Sequence, residues 1–167
     1  MDFYQRLGYL ILGSRLRRLS ESYIGEINKV YQSLDISFDT SWFPFFYVLS
    51  NQKEVSLIDL SQQLQISHSS VSQMINNLRK KALVKTIKDP KDARIKLVTL
   101  SIEGKKLLKK IKPVWQAIEN SLQLLEQRDD SLQELLFTLT TLENQLKKHP
   151  LADLILDQIK LKEEVFN

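Results

Sequence analysis

Between Ser56 and Leu100 the hydrophobic period of the chain switches from helical to alternating, and only short connections separate the segments. Leu57, Leu60 and Leu64 recur at helical spacing. Ser56 followed by Asp59 predicts an N-cap with an acidic first turn, which satisfies the backbone N–H groups a helix start leaves without partners. Gln65-Ile66-Ser67 is a three-residue connection, and its Ser67 predicts a second N-cap. The helix that follows, roughly His68 to Ala82, sets Val71, Ile75 and Leu78 on one side, and its other faces carry hydroxyls, amides and a basic C-terminal end. Two aliphatic, β-branched runs come next, Leu83–Lys88 and Ile95–Leu100. They are joined by Asp89-Pro90-Lys91-Asp92-Ala93-Arg94, in which Asp89-Pro90 opens a turn.

Helix, tight turn, helix and basic-tipped hairpin together make a winged helix-turn-helix, with the hairpin as the wing. The segment Asp89–Arg94, then Val98-Thr99-Leu100-Ser101 and Gly104, resembles the wing and following-helix signature of MarR-family transcriptional regulators. Ile66-Ser67-His68-Ser69-Ser70-Val71-Ser72 resembles the start of that family's recognition helix. The likeness in helix order covers nearly the whole chain, while the distinctive motifs lie within residues 56–104. Ala82 stands where the family commonly has Gly, so the turn into the wing is expected to differ locally. His68 and Gln73 occupy positions that vary in such proteins, so an operator sequence does not transfer with the resemblance. The resemblance implies a triangular homodimer built from N- and C-terminal helices. It also implies a small aromatic or anionic effector that weakens DNA binding.

Charge is segregated. Residues 79–112 hold 13 Lys or Arg against 3 Asp or Glu, a local +10 in a chain of net charge +4, which leaves −6 elsewhere. A solvated face mixes its signs, whereas this segment gathers one sign at the end of the second helix, in the hairpin and in the helix after it. That is the electrostatic footprint of a phosphate-binding surface. Candidate DNA contacts are therefore Ser67, His68, Ser69, Ser70, Ser72, Gln73, Asn76, Arg79 and Lys80 of the recognition helix, and Lys88, Lys91, Asp92, Arg94 and Lys96 of the wing. Gln and Asn read base edges, hydroxyls reach bases or phosphates, and Arg94 suits a narrow minor groove, with Asp92 orienting its guanidinium.

The flanks read as helices with a structural role. A first helix is expected from an Asp2 cap to about Tyr31, with an apolar stripe from Phe3 through Leu16 to Val30 and with Gly13 and Gly25 inside it. So much apolar surface needs a partner, either the chain's own C-terminal helices or a second chain. Arg15, Arg17 and Arg18 read as a solvated face. Of 14 aromatic residues, 11 lie in the first 47 positions; most read as core, with Trp42 and Phe45 as candidates for an effector pocket. Pro44 fits only the first turn of its helix. After the wing, Ser101 caps a helix in which Pro113 should produce a kink, Arg128–Ser131 breaks the pattern and caps a helix beginning near Leu132, and Pro150 precedes a last short helix over Leu151–Phe166. Residues 113–167 carry 5 basic against 10 acidic residues, which argues against a DNA surface there.

The expected architecture is mainly α with a small β-hairpin wing: residues 1–34 a dimerisation helix, 35–100 the winged helix-turn-helix, and 101–167 the C-terminal helices of the dimerisation module. With no Cys there is no disulfide, thiolate nucleophile or Cys-ligated zinc. No nucleophile elbow or phosphate loop is present, and His68 and His149 are far apart. The chain is therefore expected to be neither an enzyme nor a cofactor protein. No apolar run approaches the ~20 residues of a membrane span, and no signal-peptide pattern opens the chain, so a cytoplasmic protein is expected. The expected function is a homodimeric, sequence-specific repressor of double-stranded DNA. The competing expectation is a winged-helix module that binds an acidic protein or RNA.

Overall fold

The structure, a computed structural model, describes residues 3–90, 92 and 94–166. In chain order it contains α1 (Phe3–Arg6), α2 (Leu12–Ser33), α3 (Phe43–Asn51), β1 (Val55–Ser56), α4 (Leu57–Leu64), α5 (His68–Lys80), β2 (Val84–Lys88), β3 (Lys96–Leu100), α6 (Ile102–Arg128), α7 (Leu135–Lys148) and α8 (Leu151–Phe166). The chain divides into two compact units, residues 1–118 and 119–167.

The uninterrupted first helix expected from the sequence is broken. Gly8 takes φ +54, and Gly8–Ile11 forms a 3-10 turn between α1 and α2. A residue without Cβ adopts that left-handed backbone at no steric cost. Gly13 and Gly25 do lie within α2, and Asp2, the expected cap, lies outside the described residues.

The helix-turn-helix follows the pattern in the sequence closely. The Ser56 hydroxyl accepts the Asp59 N–H at 3.0 Å and caps α4; the Ser67 hydroxyl accepts the Ser70 N–H at 3.1 Å and caps α5. Val71, Ile75 and Leu78 are buried, packed in one core with Phe46, Leu60, Val98 and Ile111. The wing carries a strand that the sequence did not reveal. β1 pairs antiparallel with β3, Val55 opposite Val98 and Ser56 opposite Leu97, giving a three-stranded sheet in the order β1-β3-β2. Two residues are too few to show alternation.

Three helices end alike. After α2, α4 and α5 the chain turns through Asp35 (φ 51), Gln65 (φ 53) and Ala82 (φ 57). In each, two backbone N–H groups fold back on the last turn; at α5 these are Ala82 to the Arg79 carbonyl and Leu83 to the Leu78 carbonyl, both at 2.9 Å. This is the Schellman arrangement, which usually places Gly at the left-handed position. Ala82 therefore does not re-route the turn, contrary to expectation; it holds the left-handed conformation despite its Cβ. The recognition helix proper ends at Lys80, two residues earlier than expected.

The start of α6 locks this turn. The Ser101 hydroxyl donates to the Ala82 carbonyl and accepts the Gly104 N–H, and the Ser101 N–H donates to the Leu83 carbonyl at 3.0 Å. Gly104 packs so closely that a Cβ there would fall on the Leu83 carbonyl oxygen. α6 continues through Pro113 to Arg128. Asp129 then caps a 3-10 turn, Asp130–Leu132, accepting the Ser131 N–H at 3.0 Å, so α7 begins at Leu135 rather than near Leu132. Within residues 119–167 no described side chain is buried, and Leu136, Phe137, Leu151, Leu154, Ile155 and Ile159 are exposed.

Two substitutions at the junction should act in opposite directions. Ala82→Gly relieves a left-handed residue and should raise the unfolding free energy by about 1 kcal/mol. Gly104→Ala forces α6 off Leu83 and should lower it by about 1–3 kcal/mol. Urea denaturation with a shared m-value reads both, and equal stability of Gly104→Ala and the parent would show that the close approach carries no constraint.

Candidate nucleic-acid interface

At 100° per residue, Ser69, Gln73, Asn76 and Lys80 lie directly opposite the buried Val71, Ile75 and Leu78. All four are exposed. They form one row along α5, with hydroxyl and amides ahead of the basic end. His68, Ser72 and Arg79 flank the row on one side, with Ser72 half-buried; Ser70 and Asn77 flank it on the other. The Ser67 hydroxyl lies 2.8 Å from both the Ser69 and the Ser70 hydroxyls, so the N-cap is shared within a hydroxyl cluster at the tip of the helix.

The turn of the wing is closed by its own backbone. The Asp89 N–H donates to the Ile95 carbonyl at 3.0 Å, and the Ile95 N–H donates to the Asp92 carbonyl at 2.9 Å. Asp92 holds Arg94 by two side-chain bonds, Nε to Oδ1 at 3.0 Å and Nη2 to Oδ2 at 2.9 Å, while its Oδ1 also accepts the Arg94 N–H at 3.0 Å. These hydrogen bonds from Arg94 hold the Asp92 carboxyl below its ordinary range, and the carboxylate raises the guanidinium in turn. The arginine side chain is 91% exposed, so the pairing fixes its direction without hiding it. Lys88 and Lys96 are direct cross-strand partners at the outer end of the hairpin. Like charges in that relation destabilise a sheet, and a phosphate lying over them would remove the conflict. Lys91 lies outside the described residues.

The two aromatic candidates separate. Trp42 lines a groove of about 860 Å³, together with Tyr31, Gln32, Phe38, Lys81 and Leu83. Phe45 is buried in the core and does not line it. The Lys81 ammonium sits 5.4 Å from the centre of the Trp42 ring. The groove thus touches the residue that follows α5, a contact the sequence did not announce because Trp42 and Lys81 are distant in the chain. Tyr31, on the groove wall, accepts a hydrogen bond from the Trp115 indole at 3.1 Å, and burial raises its hydroxyl above the ordinary tyrosine range. Among the described residues, no group of three His, Asp or Glu is placed to hold a metal, and no helix is long and apolar enough to cross a membrane.

Residues 36–95 match the model of the MarR family. Among solved structures, the chain is similar to a mutant MarR from E. coli complexed with operator DNA, at 18% identity and a TM-score of 0.67, over 85% of this chain and 99% of that one. It is similar to the S. aureus MepR–DNA complex at 20% identity and a TM-score of 0.65, over 77% and 96% of the two chains. It is also similar to the repressor CouR bound to a 23-mer DNA duplex, at 21% identity and a TM-score of 0.67, over 82% and 96%. At such identities the likeness is one of fold. No curated protein matches the chain.

The Asp92–Arg94 pairing generates a pH prediction. A carboxylate with a depressed pKa contributes stability at pH values above its unfolded-state pKa, and that contribution is lost as pH falls through the folded-state value. Order in the wing turn should therefore be constant at neutral pH and decline only below the ordinary aspartate range. In Arg94→Ala the Asp92 carboxyl should titrate at higher pH than in the parent, read from its side-chain carbon shift. Identical titration in both proteins would mean that the guanidinium does not hold the carboxylate in solution.

Proposed function

We propose that this chain, whose residues 36–95 match the model of the MarR family, is a homodimeric repressor that reads a pseudo-palindromic operator in double-stranded DNA. The observation that carries the reading is the exposed row Ser69, Gln73, Asn76 and Lys80, presented opposite the core face of a doubly capped helix and followed by a wing with an oriented, exposed arginine. On insertion of α5 into a major groove, Gln73 and Asn76 face base edges, while Ser69 and Lys80 reach the groove wall and phosphates. Arg94 lies in or beside the neighbouring minor groove. Ser67, His68, Ser70, Ser72 and Arg79 position the helix on the backbone, and Lys88 and Lys96 hold phosphates at the wing. The protein acts in the cytoplasm, and its chemistry is recognition rather than catalysis.

Two features support the dimer. Of the 22 residues of α2, Tyr31 alone is buried, and the apolar residues of α7 and α8 are exposed. A second copy would cover these surfaces, and two-fold symmetry would fix the spacing of the half-sites. The groove at Trp42 supports an effector site for a small aromatic or anionic molecule, with Lys81 as countercharge. Occupancy would act on the end of the recognition helix through Lys81.

Selection of bound fragments from random duplex DNA should return an inverted repeat. Arg94→Ala should cost about 1–3 kcal/mol of affinity for it, and Gln73→Ala should relax preference at particular base positions instead of weakening all sequences equally. No enriched sequence would sink the proposal and favour a protein- or RNA-binding module. Sedimentation should give a dimer at micromolar concentration; a monomer that still binds one full site tightly would remove the assembly. Aromatic acids should release DNA from the parent and not from Trp42→Ala, and equal release from both would remove the groove from regulation.

A further inference from the structure

The first half of α6 carries five lysines in eight residues, Lys105, Lys106, Lys109, Lys110 and Lys112, all exposed. The buried residues of this stretch are Gly104, Ile111 and Val114. Measured around the helix axis, Lys105, Lys106 and Lys109 lie opposite them, with Lys110 and Lys112 at the two edges of that face. One acidic residue, Glu103, lies in 102–118, and it pairs with Lys106 at 2.8 Å. The face is about 10 Å long at 1.5 Å per residue, and about three phosphates of one strand occupy that length of duplex axis.

This face begins beside the C-terminal end of α5, where Arg79 and Lys80 lie, and leads away from the wing tip and from the N-terminal tip of α5. α6 begins at the base of the wing, where Ser101 and Gly104 contact Ala82 and Leu83, and β3 separates that base from the tip by five residues, roughly 17 Å. The tip of α5 lies 13 residues, roughly 20 Å, from the same junction. From the junction α6 proceeds toward Tyr31 and Phe43, which its Trp115 contacts, and not toward the wing tip. Lys109 and Lys112 lie on the stretch of α6 that leads from the junction toward Tyr31 and Phe43, so a duplex engaged by the tips of α5 and the wing meets both elements at their far ends from these two lysines.

We propose that the lysine face of α6 is a second phosphate-backbone surface that holds a duplex other than the one read by α5, so that the protein bridges two DNA segments. The inference rests on the reading of the protein as an operator-binding regulator. Recognition at this face is by charge alone: no amide or hydroxyl row accompanies the lysines, so the second segment is bound without regard to sequence.

The test uses the full-length protein, an immobilised duplex recovered by fragment selection and present in excess over recognition helices, and a labelled mixed-sequence duplex in solution. The parent should retain the labelled duplex at low salt. Lys105→Gln/Lys109→Gln/Lys112→Gln should lose at least tenfold of that retention, with a salt slope smaller by about 2.7 at 0.9 per phosphate. Its binding to the immobilised duplex and its thermal midpoint should stay unchanged. Immobilised duplex bound but no label retained by the parent overturns the inference and leaves operator recognition standing; failure to bind the immobilised duplex at all strikes the operator reading itself. Label retained equally by the triple variant also overturns it, since capture would then run through a recognition helix. A triple variant that weakens only on operators with long flanks assigns the lysines to the same, bent duplex and overturns bridging.

Discussion

Two backbone carbonyls, those of Ala82 and Leu83, hold the winged helix-turn-helix together. They lie where the recognition helix ends and the wing begins, and both are claimed by Ser101 at the start of α6. The hydroxyl of Ser101 donates to one and its N–H donates to the other, while the hydroxyl accepts the Gly104 N–H and so also caps the new helix. One residue thus fastens the end of one helix, the first strand of the hairpin and the beginning of the next helix. Gly104 is the condition for it, since no other side chain fits beneath the Leu83 carbonyl. The direction of α5 relative to the wing, which sets how a major and a minor groove can be engaged together, depends on this small polar cluster as much as on the apolar core below.

The sequence made the helix-turn-helix legible because its signals are local. Ser56 and Ser67 each act within three residues, and Val71, Ile75 and Leu78 show their face through spacing alone. The row Ser69, Gln73, Asn76 and Lys80 follows from the same wheel, and the pairing of Asp92 with Arg94 from a separation of two. What escaped depends on distance or on backbone conformation. β1 is two residues long and exists only because Val98 and Leu97 accept it. Gly8 gives no sign of the break in the sequence, because one glycine in an apolar stripe has no period of its own, and the break becomes visible only in its φ. Trp42 and Phe45 are aromatics three apart and both are buried in the core, and only the fold shows that Trp42 also lines the groove while Phe45 does not.

Ala82 shows how a departure from a familiar pattern can be absorbed. The left-handed turn is demanded by two hydrogen bonds to α5 and by the two from Ser101, so the backbone keeps its shape and the Cβ bears the strain. Asp35 and Gln65 repeat the solution at two other helix ends. In a chain with four glycines, helix termination is left to hydrogen bonding rather than to the residue that would make it effortless.

The opposition of Lys88 and Lys96 gives the protein and its complex different responses to ionic strength. In the unbound protein, counterions screen the repulsion across the hairpin, so added salt should firm the wing. On a duplex bound as proposed, phosphates would do that work and salt would compete with them, so the same addition should loosen the assembly. A hairpin built this way is least settled when alone in dilute electrolyte, and a polyanion lying across its outer end would complete it.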